Sequence, residues 1–224
     1  MNSSSRNSSS TDAIELNWPP IPSAILIMGK RQGTKKEHRQ LWGRVALAAT
    51  LWYSAPKPKP YLLYVASDVH GPLLTPDAQV VKTMLVDRFG IPADFVMTRQ
   101  LTNCTLLEVR AARVLKRAYH LAHIFALTHL YHAARAQRYL DEVLPAQASV
   151  IPVHPDILNE ITFPAEAEEL FNELRTLIEV SLPGRFDAAR EYAIEWLLNQ
   201  AHTLDPRGRF ERRLARLLRP GAYR

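Results

Sequence analysis

Residues 123–136 read HIFALTHLYHAARA, and this stretch decides the fold. Residues 123–127 form a short apolar run typical of a buried strand, and residues 131–143 continue with apolar residues at helical spacing. Four other runs have the length of strands, at residues 24–28, 61–66, 95–98 and 150–153. Helical patterns separate them, over residues 36–53, 76–89 and 105–118. This alternation predicts a Rossmann-like three-layer α/β fold, with a mostly parallel sheet of about five strands covered by helices.

Composition divides the chain into three parts. Residues 1–13 are rich in Ser and Asn, so we expect a disordered tail there. Residues 14–160 carry the strand and helix alternation and form the predicted Rossmann-like domain. The alternation then stops, and residues 161–224 predict a helical extension, with helices over about 165–181 and 186–202 and a basic amphipathic helix within 205–224.

The overall composition excludes several classes of protein. One cysteine, Cys104, rules out an intrachain disulfide framework and a cysteine-rich zinc site. No apolar run is long enough to span a membrane, and the first residues lack the apolar core of a signal peptide, so we expect a cytoplasmic protein. Residues 29–33, GKRQG, match neither the P-loop nor the dinucleotide fingerprint, which leaves the cofactor open. The formal charge of +6 favours an anionic partner.

Polar residues follow all five predicted strands. They stand at residues 29–33, 67–71, 99–105, 128–132 and 154–156. In open parallel sheets, ligands bind in the crevice beyond the carboxyl ends of the strands. The fold would gather these residues at that edge, so we place the functional site there.

Seven short elements follow one another in the order of a known family. They are Gly29 after the first strand, Arg44-x-x-x-Ala48-x-x-Leu51 on the first helix, Ser67, Asp77, Gly90-Ile91-Pro92, Thr105-x-x-Glu108, and Thr128-x-x-x-His132-x-x-Arg135-Ala136. In this order the chain resembles the YdcF-like (SanA/ElyC) family, whose function is poorly defined, over about residues 23–155. The resemblance implies a Rossmann-like fold and a bacterial protein, and some relatives are associated with envelope biogenesis. The chain departs from the family pattern at Lys30, Asp68, Cys104 and His129.

Nine residues make up the predicted site. His132 and Glu108 are the catalytic candidates, and the substrate-binding candidates are Gly29, Arg44, Ser67, Asp77, Thr105, Thr128 and Arg135. The unperturbed pKa of a histidine, about 6.5, suits proton transfer near neutral pH. Arg135 follows His132 by three residues on the same helical face, where its planar fork would bind an anion beside the helix N-terminus. No metal site is expected.

Each of these assignments has a structural alternative. Glu108 either caps its helix together with Thr105 or pairs with Arg44 or Arg135. Asp77 is either a ligand contact or the N-cap of its helix. A lone histidine such as His132 also serves structural roles.

Three functions remain open from the sequence. The first is an enzyme acting on a phosphorylated or nucleotide-like anionic small molecule, and the second is a non-catalytic sensor that binds such a ligand. The third is an interaction scaffold that uses the basic tail, residues 205–224, with seven arginines against Asp205 and Glu211. We expect this tail to dock on the acidic stretch 160–173 of its own chain. The alternatives are peripheral contact with an anionic membrane and, less favoured because no reader module accompanies the tail, nucleic acid.

Overall fold

The computed structural model describes residues 18–30, 35–66, 77–100, 105–159, 161, 167–205 and 209–218. The predicted tail at residues 1–13 and two residues of interest, Ser67 and Cys104, lie outside the described residues.

Five parallel strands form one sheet, which confirms the predicted fold class. They are β1 (Ala24–Ile27), β2 (Tyr61–Ala66), β3 (Val96–Gln100), β4 (Ile124–His129) and β5 (Ala148–Val153). Their spatial order is β3-β2-β1-β4-β5, and each neighbouring pair is parallel. Every residue of β1 and β4 is buried, as expected for central strands with helices on both faces.

Seven α-helices complete the described structure. They are α1 (Lys35–Ser54), α2 (Asp77–Thr83), α3 (Thr105–Ala118), α4 (Leu130–Val143), α5 (Glu168–Ser181), α6 (Arg185–Leu204) and α7 (Arg209–Leu218). Because side chains alternate along a strand, Ile25 and Ile27 enter one core with α1, α2 and α5, whereas Ala24 and Leu26 enter another with α3 and α4. The three layers of the predicted architecture are therefore present.

Several element boundaries differ from the sequence prediction, and two of the differences have clear reasons. The predicted helix 76–89 changes into a π-helix over Met84–Arg88 and ends before Gly90, whose φ of 69° is left-handed and suits glycine. Strand β4 continues through Thr128 and His129, which pair with Pro152 and Val153 of β5. The sequence prediction ends this strand at residue 127, before the polar residues, but backbone pairing does not depend on side-chain polarity.

The C-terminal extension packs onto the sheet domain. A Cβ atom on Gly43 of α1 would lie only 2.0 Å from Oγ of Ser181, so glycine at this position allows α5 to approach α1 closely. Helix α6 packs on α4, and α7 packs mainly on α6, with Leu214 and Leu218 against the core of Ile194 and Leu198. The described part of the basic tail, α7, thus packs on its own chain, mainly on α6, where we expected the acidic stretch 160–173; residues 160 and 162–166 of that stretch lie outside the described residues.

Candidate functional site

The topological switch point of the sheet lies between β1 and β4. From β1 the chain adds β2 and β3 on one side, and it then returns to add β4 and β5 on the other. Open α/β sheets bind ligands at this point, beyond the carboxyl ends of the strands. Here those ends carry Met28 and Gly29 after β1, Thr128 and His129 in β4, and the first turn of α4.

Arg44 holds the end of β1 in place. Its Nη1 donates to the carbonyl oxygens of Met28 at 2.7 Å and Gly29 at 2.9 Å, and its Nε lies 3.2 Å from Nδ1 of His129. The side chain is 1% exposed. This predicted site residue is therefore at the expected edge, where its contacts are with protein groups.

His129 joins the sheet to the C-terminal extension. Since Arg44 donates to Nδ1, the imidazole proton is on Nε2, which lies 3.2 Å from the carbonyl oxygen of Ser181. Burial and the nearby Arg44 charge hold the pKa of His129 well below its usual value. The neutral ring is a structural bridge between α1, β4 and α5.

Glu108 is a buried carboxyl group on the first turn of α3. Its Oε2 accepts a hydrogen bond from the backbone N–H of Gly29 at 3.2 Å, which connects α3 to the end of β1. Burial raises the pKa of Glu108 to about 7, although the Gly29 bond and the Arg44 charge favour the ionised form. Within the described residues it makes no ion pair with Arg44 or Arg135, so its partner is neither of the two predicted ones.

This pKa predicts a pH-dependent stability that Glu108→Gln should remove. A carboxyl whose folded-state pKa is raised binds more protons when folded, so it lowers stability as pH rises from about 4.5 to about 7. At 1.36 kcal/mol per pKa unit, the cost above pH 7 approaches about 3 kcal/mol. We expect Glu108→Gln to gain stability over the parent between pH 5 and pH 8, measured by urea unfolding. A constant difference across this range would contradict the prediction.

His132 lies between Thr105 and a pair of charged residues. Its Nε2 is 3.4 Å from Oγ1 of Thr105, and its Nδ1 is 3.0 Å from Nη2 of Arg135 and 3.2 Å from Oε2 of Glu195. Burial and the charge of Arg135 lower the pKa of His132 to about 4. The ring is therefore neutral near pH 7.

Arg135 is bound by carboxylates of the C-terminal extension. Its Nε and Nη2 donate to the two oxygens of Glu195 at 2.5 and 3.0 Å, and its Nη1 lies 3.4 Å from Oε1 of Glu211. Burial opposes ionisation of Glu195, but the Arg135 charge outweighs it and holds the pKa of Glu195 far below its ordinary value. The anion held by Arg135 in this structure is thus part of the protein.

Sequence reasoning missed both carboxylates. Glu195 lies between Ile194 and Leu198 on the buried face of α6, and Glu211 is buried on α7. A glutamate on the apolar face of an amphipathic helix requires a buried partner, and that signal was available in the sequence.

Two of the remaining predicted residues, Thr128 and Asp77, are buried. Thr128 is fully buried, and within the described residues its hydroxyl has no hydrogen-bond partner. Asp77 is buried at the start of α2. Tyr64 on β2, which was not predicted, has a raised pKa because of burial and the nearby carboxylates of Asp77 and Glu108. Ser67 lies outside the described residues.

The described residues contain neither a metal-binding cluster nor a membrane-spanning helix. No group of three or more His, Cys, Asp or Glu side chains there is placed to hold a metal ion. No described helix combines the length and apolar character needed to cross a membrane.

Comparisons with known proteins identify no relative. No protein-family model, no curated protein and no solved structure matches the chain. Fold and site together define the class as a Rossmann-like α/β protein with buried ionisable side chains at its switch point.

Proposed function

We propose that the protein is an enzyme acting on a phosphorylated or nucleotide-like anionic small molecule in the switch-point crevice. The observation that carries the proposal is the buried carboxyl group of Glu108, which lies against the end of β1 through its hydrogen bond with the backbone N–H of Gly29. Burial raises the pKa of this carboxyl group to about 7. Acid–base catalysis is most effective when the catalytic pKa is near the working pH. Strongly shifted carboxyl groups in clefts also occur preferentially at functional sites.

Glu108 and His132 have complementary roles in this proposal. Glu108 exchanges a proton with the substrate, because both of its protonation states are populated near neutral pH. His132 stays neutral and offers Nε2 beside Thr105 as a positioning hydrogen-bond group. The N-termini of α3 and α4 attract the negative charge of the substrate. Proton transfer occurs in both hydrolysis and group transfer, so the proposal covers both of these reaction classes.

The resemblance to the YdcF-like family supports the same site. It selects Arg44 and Glu108, which both contact the end of β1, and His132 and Arg135, which contact each other on α4 after β4. Under this proposal the protein is bacterial, works in the cytoplasm and has a link to cell-envelope metabolism.

Small molecules retained by the purified protein provide the test. We expect mass spectrometry to find a phosphorylated compound, and the parent protein to convert it. Glu108→Gln should bind the compound but turn it over about 10²–10⁴ times more slowly, the usual contribution of acid–base catalysis. Glu179→Gln, at an exposed glutamate on α5, is the control and should retain activity. Equal turnover by Glu108→Gln and the parent would refute the assigned role.

A non-catalytic sensor is the second candidate. The observation that favours it is that Arg44 and Arg135 both donate hydrogen bonds to groups of the protein. These two arginines are therefore already engaged and would have to exchange partners to bind the anionic groups of a substrate. A retained ligand that the parent protein binds reversibly and never converts would support the sensor over the enzyme.

A further inference from the structure

The outer face of α6 is an exposed apolar stripe. Its residues recur at three- and four-residue spacing and lie on one side of the helix. They are Phe186, Ala189, Ala193, Trp196, Leu197 and Leu204, and the polar Gln200 lies on the same side. Phe186 is 94% exposed, Trp196 61% and Leu204 77%, so the described part of the chain leaves this face largely uncovered.

The opposite face of the same helix is already used. Ile194 and Leu198 pack against α7, and Glu195 pairs with Arg135 of α4. The exposed stripe is therefore a second apolar surface, against which no described element of the chain packs closely. Exposed apolar surfaces of this extent typically mark contact sites.

We propose that this stripe binds the same stripe of a second copy, so that two α6 helices pack antiparallel about a two-fold axis. Residue 195 is midway between Phe186 and Leu204, and the two-fold axis passes the helix at this point. Residues at equal distances before and after residue 195 then face each other across the two copies. Phe186 meets Leu204 of the other copy, and Ala193 meets Leu197. Phe186 and Ala193 thus each oppose a leucine, and the Trp196 side chains of the two copies lie side by side close to the axis. Each pair occurs twice, as an isologous interface requires.

The available area and the charges agree with this arrangement. An aromatic side chain has about 150–250 Å² of surface, so the exposed parts of Phe186 and Trp196 amount to roughly 300 Å². The rest of this 20-residue helix can bring the contact toward the roughly 800 Å² per partner of a stable dimer. Antiparallel packing also separates equivalent arginines, by about 15 Å for Arg190 and about 30 Å for Arg185, at 1.5 Å per residue. Parallel packing would place them side by side.

Analytical ultracentrifugation of the full chain tests the dimer. We expect the parent to be dimeric and Ala193→Glu to weaken association by roughly a hundredfold, because an unpaired charge would enter an apolar contact. Val114→Glu is the matched control, since Val114 is also exposed, at 59%, but lies on α3. Circular dichroism verifies that both variants fold. A monomeric parent, including one that instead binds phosphatidylserine vesicles, would overturn the proposal, as would an Ala193→Glu variant that dimerises like the parent.

Disulfide trapping tests the antiparallel geometry. In a Cys104→Ser background, Phe186→Cys protein mixed with Leu204→Cys protein should give cross-linked heterodimers, whereas each variant alone should cross-link poorly. Efficient cross-linking of Phe186→Cys with itself would show parallel packing and overturn the antiparallel assignment.

Discussion

Replacing Glu195 with alanine is expected to lower the free energy of unfolding by about 3–5 kcal/mol, the usual cost of breaking a buried ion pair. Glu195 and Arg135 have side chains only 4% and 11% exposed, and they share two hydrogen bonds. Removal of the carboxylate would leave the Arg135 charge with the weaker contact to Glu211 at 3.4 Å. Urea unfolding at neutral pH measures the loss.

Glu173→Ala is the matched control for this experiment. Glu173 also pairs with an arginine, Arg88, but their side chains are 38% and 48% exposed. Exposed pairs contribute about 0–1 kcal/mol, so this variant should unfold almost like the parent. Similar losses from Glu195→Ala and Glu173→Ala would contradict the assignment of Glu195 as a buried structural anion.

Acid should reduce the difference between the parent and Glu195→Ala. Arg135 holds the pKa of Glu195 below its ordinary value despite burial. Stabilisation from such a group is complete above its unfolded pKa and is lost as pH falls toward the folded pKa. The difference in unfolding free energy should therefore be constant above pH 5 and shrink as the solution becomes strongly acidic.

The sheet domain could be predicted because its signals are local. Each strand is a short apolar run, and the helices between strands carry their own periodicity. The predicted α3, residues 105–118, has the observed bounds, and the predicted α4 begins one residue late. The π-helix at Met84–Arg88 has no comparable signal, because the side-chain spacing of one irregular turn resembles that of a helix.

The partners of the site residues could not be predicted in the same way. Arg135 and Glu195 are 60 residues apart, and their contact depends on how α6 packs on α4. We considered Glu108 as the partner of Arg135 because both follow strands of the same sheet. The contact with Gly29 explains the difference, since a backbone N–H at the end of β1 is within reach of the Glu108 carboxyl. The position of these residues on the helices after the strands was predictable, whereas the pairing of Arg135 depended on the packing of the extension.

Deletion of residues 209–224 is expected to destabilise the whole chain. Helix α7 places Leu214, Ala215 and Leu218 against α6, and complete burial of a leucine side chain contributes about 1.5–3 kcal/mol. It also delivers Glu211, which accepts a hydrogen bond from Tyr139 at 2.6 Å and pairs with Arg138 at 3.2 Å. Because Leu214 and Leu218 are only partly buried, we expect a loss of about 2–4 kcal/mol, visible as a lower Tm.

A charge-reducing variant separates this structural role from binding to an external anion. Arg209 and Arg213 are exposed on α7, so replacing both with glutamine removes charge and preserves the docked face. If α7 is mainly structural, this double variant should melt like the parent while the deletion melts earlier. If α7 instead serves an anionic membrane, both variants should lose binding to phosphatidylserine vesicles at low salt, where unscreened charges act most strongly, and the deletion should leave Tm unchanged. The buried Glu211, held by three residues of α4, favours the structural outcome.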